Sequence, residues 1–88
     1  MDTRVAVISI IVENGADTEK LNRLLSEAAP YIIGRMGIPY RQKGINLISV
    51  AIDAPQDVIS ALSGRIGGLE GVSAKTAFSN VITRAAEG

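Results

Sequence analysis

The sequence predicts an α+β fold, a four-stranded antiparallel sheet with two helices on one face. Three observations predict it. Four β-like runs alternate with two helix-like ones in the order β-α-β-β-α-β, which is the split βαβ, ferredoxin-like sandwich with strand order 4-1-3-2. The strand runs are apolar at alternate positions, and the helical runs are apolar at three- and four-residue spacing. Residues 8–38, shifted by 40 positions, also fall without a gap on residues 48–78. Ile8-Ser9-Ile10 then meets Ile48-Ser49-Val50, Asp17 meets Asp57 and Arg35 meets Lys75. The helix stripes agree better at a shift of 41, so the echo is approximate. It points to two similar βαβ halves.

Each element has its own signal. Val5 to Val12 is rich in β-branched residues and stops at the turn Glu13-Asn14-Gly15. From Asp17 the pattern becomes helical, with Leu21, Leu24, Leu25 and Ala28 on one stripe. Asp17 or Thr18 is the candidate cap, and Pro30 ends the helix. Tyr31 to Tyr40 is β-like, Arg41 to Gly44 reads as a hairpin loop closed by Gly, and Ile45 to Asp53 is the third strand. Pro55 sits just inside a second helix whose stripe is Val58, Ile59, Leu62 and Ile66. Gly67-Gly68 stops it, and Val72 to Phe78 is the fourth strand. Residues 1–80 therefore form a single domain, with 81–88 a short C-terminal tail.

The tetrads Gly34-Arg-Met-Gly37 and Gly64-Arg-Ile-Gly67 invite a reading as phosphate loops. Such a loop needs its glycines between a strand and the N-terminus of the next helix, where free N–H groups face the anion. Here one tetrad lies within a strand and the other at a helix end. Neither is a phosphate loop, and Gly67 or Gly68 reads as a helix C-terminal cap.

Composition narrows the function classes. Nine basic and nine acidic residues balance, so the chain as a whole has no electrostatic pull toward nucleic acid or anionic lipid. The absence of Cys and His removes disulfides, thiolate or imidazole metal sites and His-dependent triads. No Asp-rich loop suggests a hard-cation site. The longest uncharged run, Val5 to Val12, is far too short to span a membrane, and the N-terminus is not a signal peptide. A cytoplasmic domain is expected, without metal, cofactor or catalytic constellation, and not an enzyme.

Side chains alternate between the faces of a sheet. The even positions of the strands, Met36 and Ile38 among them, form a nearly continuous apolar set expected to face the helices. The odd positions are apolar too, with Val5, Val7, Ile11, Ile33, Ile45 and Leu47 among them. A solvated face should alternate to polar. A second copy of the chain is the expected cover, giving a homodimer or homotetramer.

Two candidate sites emerge. If the hairpin centres on Gln42, Arg35 stands opposite Ser49, and the echo places Lys75 opposite Ser9. A row Lys75, Ser9, Ser49, Arg35 would then cross the odd face. It would bind a small anionic metabolite through its carboxylate or phosphate, or pair with a partner subunit's acids or carbonyls. The second candidate is the turn around Asn14 and Gly15, whose amides at a helix N-terminus could receive a carboxylate. It reads equally as an ordinary turn with Asp17 as an ordinary cap.

The segments Tyr31-Ile-Ile-Gly-Arg-Met-Gly-Ile-Pro-Tyr-Arg41, Ile59-Ser-Ala-Leu-Ser-Gly-Arg-Ile-Gly67 and Gly71-Val-Ser-Ala-Lys-Thr76 resemble the family of iron-only hydrogenase system regulators. The resemblance runs from about Arg4 to Phe78. It implies a ferredoxin-like fold similar to ACT domains and to the C-terminal domain of the nickel-responsive repressor. It also implies an oligomeric regulatory or sensing module, or alternatively an accessory factor that binds a protein in hydrogenase assembly. Nickel binding does not carry over, because this chain has neither His nor Cys. No DNA-reading ribbon or helix-turn-helix precedes the first strand, so direct nucleic-acid binding is not expected. A role in transcription regulation would need a DNA-binding partner protein or a hydrogenase-maturation partner.

Overall fold

The computed structural model describes residues 2–84. Its elements are β1 (Asp2–Glu13), α1 (Thr18–Glu27), a 3-10 turn (Ala29–Tyr31), β2 (Ile32–Tyr40), a second 3-10 turn (Arg41–Lys43), β3 (Ile45–Ala54), α2 (Gln56–Gly67) and β4 (Val72–Arg84). The sheet order is β2-β3-β1-β4 and every neighbouring pair is antiparallel. This is the expected ferredoxin-like order, 4-1-3-2 read from the other edge.

The core forms where the even face of the sheet meets the helices. Ala6, Ile8, Ile10 and Val12 of β1 and Val50, Ile52 and Ala54 of β3 are buried there with Leu21 and Leu25 of α1 and Ile59, Leu62 and Ile66 of α2. Fully burying each Ile or Leu side chain contributes about 1.5–3 kcal/mol. The helices hold the stripe in place by their ends. Asp17 caps α1, its carboxylate accepting from the Lys20 N–H at 3.1 Å. Pro55 precedes α2 as its N-cap, one position outside the place expected for it. Gly68 caps the C-terminus of α2, its N–H donating to the Gly64 carbonyl at 3.0 Å.

β1 and β4 are longer than their apolar cores suggest. β4 continues past Phe78 to Arg84 and pairs with the start of β1, Asp2 facing Arg84, after a register shift between Arg4 and Ala6. Arg4 fastens that shift. Its Nε donates to the Ser79 carbonyl at 2.7 Å, its Nη1 donates to Gln56 Oε1 at 3.1 Å, and its guanidinium carbon lies 4.8 Å from the centre of the Phe78 ring. Residues 81–84, expected in a tail, are thus strand, and 85–88 lie outside the described residues.

The register of β2 differs from expectation by one residue. Four residues separate Tyr40 from Ile45, which face each other, so the hairpin centres between Gln42 and Lys43 rather than on Gln42. A second irregularity follows at the far end, where the register shifts between Ile32 and Gly34. A one-residue slip moves every side chain to the opposite face. Met36 and Ile38, expected against the helices, therefore lie on the uncovered face, 60% and 49% exposed.

Glycine conformation is demanding at the turns and relaxed within β2. Gly71 has φ +75°, and a Cβ there would sit 3.2 Å from Ala16 Cβ, whereas a Cβ on Gly37 meets nothing within 4 Å. Gly71→Ala should cost about 1–2 kcal/mol in chemical denaturation, and Gly37→Ala should be neutral or stabilising by up to about 1 kcal/mol. Equal losses at both positions would contradict this backbone assignment.

Candidate functional site

Three of the four residues of the expected polar row do lie side by side. Ser9 faces Ser49 across β1 and β3, and Lys75 across β1 and β4. The fourth place belongs to Met36, which faces Ser49, while Arg35 faces the buried Val50. Arg35 therefore leaves the row, and the reason is the hairpin's even-numbered loop described above. The row becomes Lys75, Ser9, Ser49, Met36, with one cation instead of two. Ser9, Ser49, Met36 and Leu47 line a shallow depression of about 180 Å³.

The slip makes the uncovered face more apolar than the sequence reading had it. Val7 and Ile11 of β1 and Leu47 of β3 are exposed, and Ile38 stands opposite Leu47. Val5 and Ile45 are half-buried on the same face. Tyr40 joins them, its hydroxyl donating to Gln42 Oε1 at 2.7 Å. Ile33, at the β2 irregularity, is 63% exposed. Asp53, opposite Val5, also belongs to this face by alternation, and its Oδ1 is buried without a hydrogen-bond partner among the described residues. Sequence reasoning missed Met36, Ile38, Tyr40 and Asp53. The parity of Asp53 with Ser49 would have found it, but the β2 residues required the loop geometry.

Arg35 now stands on the helix side, in a cleft of about 300 Å³ between β2 and α1. Thr18 and Asn22 of α1 and Asn46 of β3 line the same cleft. The second candidate, Asn14 and Gly15, is a tight turn. The Ala16 N–H donates to the Glu13 carbonyl at 3.1 Å, Gly15 has φ +90°, and Asn14 packs on Gly44. Asn14 and Gly15 line neither the cleft nor the depression around Ser9. Among the described residues, no group of three or more Asp, Glu, His or Cys is placed to hold a metal ion. None of the described helices is long and apolar enough to cross a membrane.

The described residues form a small sandwich whose helices cover one face of the sheet and whose second face is largely apolar. The chain belongs to the TM1266-like family, described as "Iron-only hydrogenase system regulator, putative", whose sequence model matches residues 4–76. Its structure is similar to that of the uncharacterized protein TM1266 from Thermotoga maritima, with a TM-score of 0.83 at 31% identity, covering 86% of this chain and 96% of that one. A more distant similarity, TM-score 0.62 at 18% identity, is to a formyltetrahydrofolate deformylase from Pseudomonas putida KT2440. It covers 88% of this chain but only 29% of the deformylase, and it shows the fold alone. No curated protein matches the chain.

The register gives a direct check, because the chain has no native cysteine. Met36→Cys with Ser49→Cys should oxidise to an intramolecular disulfide, since directly opposed Cα atoms lie within bridging distance. Arg35→Cys with Ser49→Cys should not, because those side chains leave opposite faces. Mass spectrometry of the oxidised monomers distinguishes the two.

Proposed function

We propose that this chain is a non-enzymatic regulatory module of the iron-only hydrogenase system, working in the cytoplasm as a homo-oligomer and responding to a small anionic metabolite. Family membership supports the association with that system. The observation that carries the oligomer is the uncovered sheet face, where Val7, Ile11, Ile38, Tyr40 and Leu47 present large apolar side chains. Contiguous apolar surface of this kind marks an interaction site in a soluble protein.

Charge makes a second copy the fitting occupant. The face carries Lys75 near one corner and Asp53 toward the opposite one, and Asp53 Oδ1 is buried without a partner among the described residues. A two-fold interface is self-complementary, residue i meeting j and j meeting i. One copy's Lys75 can therefore reach the other's Asp53 while the apolar side chains close the middle. Asp53 is half-buried, and a cation from the second copy would give its carboxylate a charged partner when the face closes.

Any effect on transcription runs through a partner protein, since a chain with nine basic and nine acidic residues has no net attraction for DNA.

Val7→Asp or Leu47→Asp places an unpaired charge in the interface and should shift sedimentation velocity toward monomer, at a cost of several kcal/mol of association. Ser60→Asp, exposed on α2, should leave the size unchanged. If both face variants sediment like the parent, self-association through this face is wrong.

A further inference from the structure

We infer that the cleft between α1 and β2 is a binding site for a small monocarboxylate with a short branched apolar body and no ammonium group. This deepens the metabolite-responsive reading above and rests on it. The cleft exists because β2 is bare on its helix side. Arg35, Gly37 and Pro39 are the successive residues facing that way. Gly37 contributes no side chain, and open space surrounds the position its Cβ would take. Between the long Arg35 and the compact Pro39 a slot therefore remains that α1 does not fill.

The lining defines the ligand. Buried Val12 and Leu21 and half-buried Ile48 form an apolar floor. Arg35, Thr18, Asn22 and Asn46 form the polar rim, and none of their side chains has a hydrogen-bond or ion-pair partner among the described residues. One cation and no carboxylate line the cleft. A single guanidinium matches one carboxylate through two parallel N–H···O bonds, while a doubly charged phosphate would be half compensated. An ammonium would meet no side-chain anion. The two amides and the hydroxyl suit a keto or hydroxyl oxygen beside the carboxylate. At about 300 Å³ the volume stands at the small end of ligand sites.

The cleft lies on the helix side of the sheet, so self-association through the other face leaves it open. Ligand and assembly can then be read separately. Titration of the full chain with 4-methyl-2-oxopentanoate, followed by amide NMR, should saturate with shifts centred on Asn22, Gly37 and Asn46. Leucine, which replaces the keto oxygen with an ammonium, should bind at least about tenfold more weakly, as should the oxo acid to Arg35→Met. Gly37→Leu, whose Cβ enters open space, fills the slot and should abolish binding; Asn22→Leu, which closes the mouth from α1, serves if that variant does not fold. Lys75→Met should bind like the parent. No saturation by about 10 mM, or binding that survives filling of the slot, overturns the site. Binding with these properties in a protein that sediments as a monomer would retain the cleft and reject only the oligomer.

Discussion

Everything in this fold depends on β1 being apolar on both faces. Its even side chains, Ala6, Ile8, Ile10 and Val12, are buried beneath two helices, and its odd apolar ones, Val7 and Ile11, remain exposed. The described residues form two α-helices, and both lie on the even side. A domain this small buries a modest fraction of its surface. The second face is left as a surface that a partner can still exploit.

β2 decides how that surface is composed. It is an edge strand, its register is fixed by a four-residue loop at one end and a shift between Ile32 and Gly34 at the other, and Pro39 removes one of its N–H donors. Between those two points Met36, Ile38 and Tyr40 join the uncovered face and Arg35 crosses to the helix side. The same slip enriches the proposed interface and equips the proposed ligand cleft. The proposed interface and the proposed ligand cleft thereby lie on opposite sides of one sheet.

The parts legible in the sequence were those set by periodicity. The alternation of β1 and β3, the stripes of α1 and α2 and the turn residues were enough for the element order, and the order was enough for the topology. The pairing of Ser9 with Ser49 and Lys75 was also readable, because β1 occupies the middle of the sheet and its neighbours align through the internal echo. Arg35 was misplaced because period-two reasoning is blind to loop parity: a loop of four residues and one of three look alike in composition and put opposite faces forward. The extension of β4 to Arg84 was equally hidden, since the polar pair Ser79-Asn80 interrupts the run after Phe78. Arg4, with its contacts to Ser79, Gln56 and Phe78, is what carries the pairing past them. The site lies where these two kinds of information meet, so its residue types were found and their grouping was not.

The central claim is that the odd face of the sheet is covered in solution by another copy of the chain. Methyl NMR of the unmodified protein with a soluble paramagnetic probe tests this without any substitution. The account predicts that Val7, Ile11, Ile38 and Leu47 methyls are shielded nearly as well as those of the buried Ile8, while those of Leu24, on the helix side, relax faster. Strong broadening of Ile11, Ile38 and Leu47 together at concentrations where the protein is native would contradict it.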